Sequence, residues 1–394
     1  MAEEIVRKEQ PQYQYLAKLQ MQWRPRQPMN KLANMLLRPV SMGDLDAIEA
    51  LAGLTGFGLT TIPRDRAVLE RRIRQSEHAF AKVDPYPGPE AYLFVMEDLS
   101  RKRVVGTCGV MSKTGGFEPF YAYRIEKAVR ESKELNIRKE IPTLHLVTEH
   151  NGPCEIGSLF LHPQARGKHV GRLLSMMRFA YLAQFPNFFD ETVIAEMRGV
   201  IDEQGRSAFW DALGRHFFDV EFVKADYLSI VNKRFIADLM PTYPIYIPLL
   251  PESAQAVIGQ VHDQTAPALH ILLQEGFAYS GMVDIFEAGP VVLCELSEIR
   301  AVAESRLDQV AELTDDDPID SPHLSIIATT ERRMGGCGGA VQRLDAHSVA
   351  ISKRCAEMLG LGVGDPVRHV TLRSDRPGDP GQALASYQAQ AVAP

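Results

Sequence analysis

PCEIGSLFLHPQARGKHVGRLLSMMRFAYLAQ, residues 153–184, is the stretch on which the fold turns. Ile156, Leu159, Phe160 and Leu161 form an apolar run with the character of a buried strand. QARGKHVG, residues 164–171, is a basic loop containing glycine. From 170 onward Val170, Leu173, Leu174, Met177 and Tyr181 recur at helical spacing, which predicts an amphipathic helix. A strand, a glycine loop and a helix N-terminus in succession make a phosphate-binding device, because main-chain N–H groups can approach an anion that the helix dipole favours. Arg166, Lys168 and His169 add charge or donors there. No Gly-Lys-Ser/Thr follows, so it is no Walker loop, and GxGxxG is absent, so it is no dinucleotide fingerprint. An ordinary strand-to-helix turn with surface basic residues would read the same way.

Outward from this unit, the chain has 394 residues, 45% hydrophobic and 24% charged, enough for two domains or one large one. The net charge of −7 argues against a general nucleic-acid binder. Five dispersed cysteines, Cys108, Cys154, Cys294, Cys337 and Cys355, show no CxxC or Cys/His metal spacing. They read as reduced thiols in a cytoplasmic protein, with no metal site expected. No apolar run approaches the roughly 18 residues of a membrane span.

Residues 1–34 are rich in Gln, Arg and Lys and lack the apolar core of a signal peptide, so they read as a mobile extension. Residues 36–40 form a first strand, and Ser41 or Asp44 caps a helix bearing Leu45, Ile48, Leu51 and Ala52 on one face. A glycine- and threonine-rich loop over 53–63 precedes a charged helix over 64–81. Residues 92–96 and 104–111 read as a hairpin. Residues 112–150, aromatic and charged, read as a long irregular insertion. Beyond 184, residues 192–198 are a buried strand and Ser207 caps a short helix. Thr265 opens another helix, with Leu269, Leu272 and Leu273 inward and Gly276 at its end. Strands follow at 277–286 and 291–296. The division expected is a main domain over 35–299, a small, mostly-β C-terminal subdomain over 300–372, and a loose tail over 373–394.

This order of elements resembles the GNAT superfamily of acyl-CoA N-acyltransferases. The loop Arg166-Gly167-Lys168-His169-Val170-Gly171 keeps the first and last positions of that superfamily's Arg/Gln-x-x-Gly-x-Gly/Ala pattern, with His169 where a glycine is usual. GLTTIP (58–63), SKELN (132–136), IPTLHL (141–146), SLFLHP (158–163), AEMRGVIDEQGRSAFWDALGRHFF (195–218), LMPTYPIY (239–246), IGQVHDQTAPA (258–268) and DIFEAGP (284–290) are similar to bacterial arginine N-succinyltransferases. That likeness runs from about 35 to about 305. It implies an α+β fold, a mixed and mostly antiparallel sheet flanked by helices. It also implies transfer of a succinyl group from succinyl-CoA, a co-substrate and not a resident cofactor, to the α-amine of L-arginine.

On the same resemblance His262 is the proton-transfer residue and Leu159 touches succinyl-CoA. Arg166, Gly167, Lys168, His169, Val170 and Gly171 hold the pyrophosphate. His262 precedes a helix N-terminus, which favours the neutral ring, while Asp263 favours the charged one. A guanidinium substrate wants carboxylates and its α-carboxylate wants cations. Glu196, Arg198 and Arg124 are the candidates, although ordinary ion pairs would explain them equally. Cys154 could in principle carry the acyl group, but no neighbour in sequence lowers its pKa, so direct attack by the amine is expected. Two alternatives stay open. One is the same chemistry on ornithine or another basic amino acid, in a homodimer or a heteromer of paralogues. The other is a non-catalytic sensor of acyl-CoA or arginine.

Overall fold

Alternating burial along Met35–Pro39 makes the first strand, β1, part of a sheet of fifteen strands among the described residues. The computed structural model describes residues 31–55, 62–231, 233–315 and 324–373. Residues 1–30, most of the loop expected over 53–63, most of the acidic run at 314–320 and the tail from 374 lie outside those residues.

The remaining strands are β2 (Ala91–Asp98), β3 (Arg103–Met111), β4 (Gly115–Ser132), β5 (Ile137–Asn151), β6 (Cys154–Leu161), β7 (Thr192–Glu196) and β8 (Ile245–Tyr246). They continue with β9 (Ala278–Val283), β10 (Pro290–Glu295), β11 (Arg306–Thr314), β12 (Leu324–Ala328), β13 (Gly336–Arg343), β14 (Ser348–Ser352) and β15 (Pro366–Thr371). In space the order is β12-β15-β11-β14-β13-β1-β2-β3-β6-β7-β10-β9-β4-β5-β8. Neighbours are antiparallel except β6 with β7 and β11 with β14. β12 also pairs with β13, so the last five strands close into a barrel, joined to the long sheet where β13 meets β1. The protein is thus mixed α/β.

The helices cover the sheet where their apolar stripes dictate. α1 (Leu45–Ala52) and α2 (Arg66–Ala81) bury Ile48, Leu51, Leu69 and Ile73 against Val95 and Val104. Asp65 caps α2 by accepting from the Val68 N–H at 3.1 Å. α3 (Val170–Gln184) departs from the amphipathic expectation. Val170, Leu173, Leu174, Met177 and Tyr181 are buried as predicted, but so are Met176, Arg178, Phe179 and Leu182 on its other sides. The cause is that α3 is enclosed between β3 and β6 of the sheet and the barrel strands β12 and β15. Three helices further along matter for the site: α4 (Phe222–Val231), α5 (Ala266–Gln274) and α6 (Arg300–Ala303).

The largest correction concerns residues 112–150. They form not an irregular insertion but a long antiparallel ribbon, β4 paired with β5 from Phe120↔Glu149 to Ser132↔Ile137. Its near end is anchored by Tyr121, Tyr123 and Leu144, which are buried with Trp210 and Phe209. Its far end is exposed on both faces, so it shows none of the alternation by which a strand is recognised.

Candidate active site

β6 and β7 start side by side and then part. The pairs Cys154↔Val193 and Glu155↔Ile194 hold them together, and beyond these a cavity of about 730 Å3 opens between Gly157–Leu161 on one side and Ala195–Met197 on the other. β6 is bent here by a bulge against β3, with Ser158 in the left-handed region at φ 52°. The Thr107 hydroxyl donates to the Ser158 carbonyl at 2.8 Å and fixes the bend.

At one end of the cavity lies the basic loop. His162 is buried and accepts from the Gln164 N–H through Nδ1 at 3.2 Å. Burial, with Arg103 and Arg166 near, brings its pKa down to about 4, so it stays neutral. The Arg166 Nε donates to the Leu161 carbonyl at 3.3 Å. His169 caps α3 with φ 65° and ψ −9°, the left-handed conformation for which glycine is best suited. The departure from the superfamily pattern thus falls on a position where the backbone still adopts the glycine-like turn. Arg166, Gly167 and Gly171 line the cavity, as does Leu159, while Lys168, His169 and Val170 lie outside its wall.

At the other end is a nest of carboxylates. Glu155, Glu196, Asp284 and Glu287 all border the cavity, with Asp226 from α4. Burial raises the pKa of all four, and mutual repulsion adds to this for Glu196 and Glu287. Glu196 keeps open surface onto the cavity, so its carboxylate is deep in the protein yet reachable by a ligand. Lys233 pulls the Glu155, Glu196 and Asp284 pKa values back down, and Arg72 does so for Glu155. The arrangement is held by two loops crossing at glycines. A Cβ on Gly289 would lie 2.0 Å from the Met197 carbonyl oxygen and 2.5 Å from the Gly199 nitrogen, so the backbones touch. The Gly199 N–H donates to Glu287 at 3.2 Å, and Asp284 accepts from the N–H groups of Phe286 and Glu287 at 2.7 and 2.8 Å. Arg198 borders the cavity between them, its Nε buried with no hydrogen-bond partner among the described residues.

His262 stands just behind this wall. Its N–H donates to the Arg198 carbonyl at 2.9 Å, and its own carbonyl accepts from Thr265 and Ala266 at the start of α5. Nδ1 accepts from the Gln264 N–H at 3.1 Å, which in the neutral ring puts the proton on Nε2. Burial and Arg198 lower its pKa while Asp263 works against them. Gln264 and Thr265, not His262 itself, border the cavity. Arg124 is exposed on β4, opposite Met282 of β9, and does not reach the cavity wall. Cys154 is fully buried, and desolvation, with Glu155 and Asp190 close, raises its pKa well above the ordinary thiol value. Sequence reasoning missed Glu155, Asp226, Asp284 and Glu287. For Glu155 the signal was a carboxylate inside an otherwise apolar strand.

No helix among the described residues is long and apolar enough to cross a membrane. A profile of the family described as arginine N-succinyltransferase beta subunit matches residues 35–301. The chain is 44% identical to the arginine N-succinyltransferase subunit beta of Pseudomonas aeruginosa over 345 residues, 87% of this chain and all of that one. It is 41% identical over 344 residues to the arginine N-succinyltransferase of Yersinia pseudotuberculosis, covering 86% of this chain and 98% of the relative. Its fold superposes, with a TM-score of 0.78 and 33% identity, on the solved arginine/ornithine succinyltransferase subunit AI from Pseudomonas aeruginosa, covering 86% of this chain and 99% of that one. With its sequence matched across the full length of such relatives and its fold shared with one of them, the chain belongs to the arginine N-succinyltransferase family.

Proposed function

We propose that this protein transfers the succinyl group of succinyl-CoA to the α-amine of L-arginine, in the cytoplasm, giving N2-succinyl-L-arginine and free CoA. The observation that carries this is the charge layout of the cavity: a basic glycine loop at one end and four carboxylates of raised pKa at the other. Carboxylates crowded together favour a cationic ligand, since a guanidinium beside them lowers the cost of ionising them. An open strand pair between the two ends suits the pantetheine arm, which can bond to main-chain groups of β6.

In this reading the fold is GNAT-like, with residues 35–299 the acyltransferase domain, the 112–150 ribbon an insertion, and the barrel over 300–372 a C-terminal subdomain. Residues 1–34 and 373–394 are an extension and a tail. Leu159 offers its main chain to succinyl-CoA, and Arg166, Gly167, Lys168, His169, Val170 and Gly171 hold the pyrophosphate. Glu196, with its acidic neighbours, takes the guanidinium, Arg198 takes the α-carboxylate, and Arg124 meets arginine further out.

The amine attacks the thioester carbon in a ternary complex. The C–N bond forms, the C–S bond breaks, and sulfur leaves as the CoA thiolate. His262 takes the proton lost by the ammonium and returns it to sulfur. Taking it through Nε2 uses the ring's other tautomer, in which the Gln264 N–H contact is given up. No resident cofactor is needed. Relatives named as subunits support an assembly, either a homodimer or a heteromer of paralogues.

The test is release of CoA thiol from succinyl-CoA with arginine and with ornithine. Ornithine is the second reading because the solved relative is an arginine/ornithine succinyltransferase subunit by name. Turnover greatest with arginine is expected. Turnover with ornithine alone would make it an ornithine enzyme, and ligand binding without turnover would make it a sensor.

A further inference from the structure

Arg178 stands out on α3. It is 2% exposed on a helix enclosed on all sides. Its own hydrogen bonds are modest: Nη2 donates to the Ser175 hydroxyl at 2.6 Å and Nε to the Ser175 carbonyl at 3.2 Å. No carboxylate among the described residues pairs with it. Its one ionisable neighbour of note is Cys108, a fully buried thiol whose pKa is pushed up to about 12 and which therefore supplies no negative charge. Desolvation draws the guanidinium's pKa down to about 10, which still leaves it charged at neutral pH. A buried, charged guanidinium without a counter-ion is unfavourable in the folded protein unless something else completes it.

That something has access. Arg178 borders the cavity from α3, and Ile156, Ser158 and Leu174 belong to the same lining. The other cations on the wall are differently placed, Arg166 standing on the basic loop with its Nε on the Leu161 carbonyl. Arg198 feels Glu287 and Asp226, and Arg72 and Lys233 feel Glu155. Of the charges on the cavity wall, the acids of β4, β6, β7, the β9–β10 turn and α4 have Arg72, Arg198 and Lys233 among them, while Arg178 on α3 has no carboxylate paired with it among the described residues.

We propose that Arg178 binds the free carboxylate at the end of the succinyl group and so selects a dicarboxylic acyl donor over a monocarboxylic one. The proposal rests on the succinyl-transfer reading. A succinyl thioester differs from a butyryl thioester in carrying a carboxylate in place of a terminal methyl. A planar guanidinium recognises that carboxylate with two parallel hydrogen bonds, and its desolvation has already been met in the folded protein. Ser175, by holding Nε and Nη2, fixes the plane of the fork.

The test compares the wild type with Arg178→Met and Arg178→Lys, using succinyl-CoA and butyryl-CoA at saturating arginine. The readouts are kcat/KM, the equilibrium Kd of each thioester, and the ligand-free Tm. R178M is expected to lose about 100-fold in kcat/KM with succinyl-CoA and under about 3-fold with butyryl-CoA, with R178K between. Ligand-free Tm of R178M should be unchanged or higher, since an uncompensated buried charge is gone. Equal losses with both donors, or an unchanged succinyl-to-butyryl ratio, would overturn the proposal. If the wild type turns over neither donor, the succinyl-transfer reading fails. The Kd values then decide Arg178 separately, through tighter wild-type binding of succinyl-CoA that R178M abolishes. If R178M does not fold, a ratio unchanged in R178K is the overturning result and a reduced one supports the assignment.

Discussion

The carboxylate of Glu275, fully buried just past the end of α5, accepts from Arg300 Nη2 of α6 at 2.8 Å. The Arg300 Nη1 also donates to the Thr371 carbonyl of β15 at 3.1 Å, and the Arg300 N–H donates to the Glu275 carbonyl at 3.0 Å. One ion pair thus ties the helix that follows His262 to the barrel. Removing Glu275 leaves Arg300, 6% exposed, with Glu304 at 3.2 Å as its remaining carboxylate, and takes from Arg172 a carboxylate at 3.5 Å. Glu275→Ala is expected to cost about 3–5 kcal/mol of stability. Chemical denaturation followed by fluorescence measures it, and a loss under about 1 kcal/mol would mean the pair is dispensable.

His262 sets a pH dependence whose sign follows from its lowered pKa. The neutral ring persists below the ordinary histidine value of 6.5, so kcat at saturating arginine is expected to be level near neutrality and to fall only as pH drops through a pKa below 6.5. Arg198 helps lower that pKa, so Arg198→Gln should move the acid limb upward, whatever it does to the rate. His262→Gln should lower kcat by about 10²–10⁴-fold and abolish the limb. A limb that survives in H262Q assigns the titration to another group.

Glu196 is raised well above the carboxylate range by burial, Glu155 and Asp284. Binding a guanidinium beside it favours the ionised form, so arginine uptake should release protons and KM for arginine should fall as pH rises. Calorimetry in two buffers of different ionisation enthalpy reads the proton count. Glu196→Gln should raise KM for arginine about 10–100-fold and leave KM for succinyl-CoA nearly unchanged. An unaltered arginine KM would remove Glu196 from the substrate site.

Cys154→Ala should turn over normally, with kcat within about 2-fold of the wild type. Its thiol is buried and held protonated, the opposite of what an acyl-accepting nucleophile needs. A mass increase of one succinyl group on the enzyme incubated with succinyl-CoA alone, lost in C154A, would reverse this conclusion.

How far the sequence was legible depended on whether a signal was local. The apolar run at 156–161, the glycine loop and the spacing of Val170 to Tyr181 locate β6 and α3 because each is written within one element. The β4–β5 ribbon escaped because its far half, from Glu126 to Ile141, is solvated on both faces and carries charge where a half-buried strand would alternate. Barrel closure by β12 on β13 and β15 is a matter of register between distant segments and leaves no periodic trace. The carboxylate nest assembles from β6, β7, the β9–β10 turn and α4, so no single stretch displays it. Arg178 was hidden for another reason: one arginine among apolar positions of a helix reads as its solvent face, and the enclosure by β12 and β15 is what removes the solvent.

Where β6 turns away from β7 after Glu155, its main chain from 157 to 161 has no ladder partner on the β7 side and runs along the cavity rim. Every amino acid supplies the same peptide group, so substitutions along 157–161 that keep the bend at Ser158 leave that rim intact. A deletion of one residue there is another matter. It would slide the whole rim by one position and present its other face, carrying Leu161 and His162 out of step with Gly106 and Val105. Relatives of this chain should therefore hold the length of this segment.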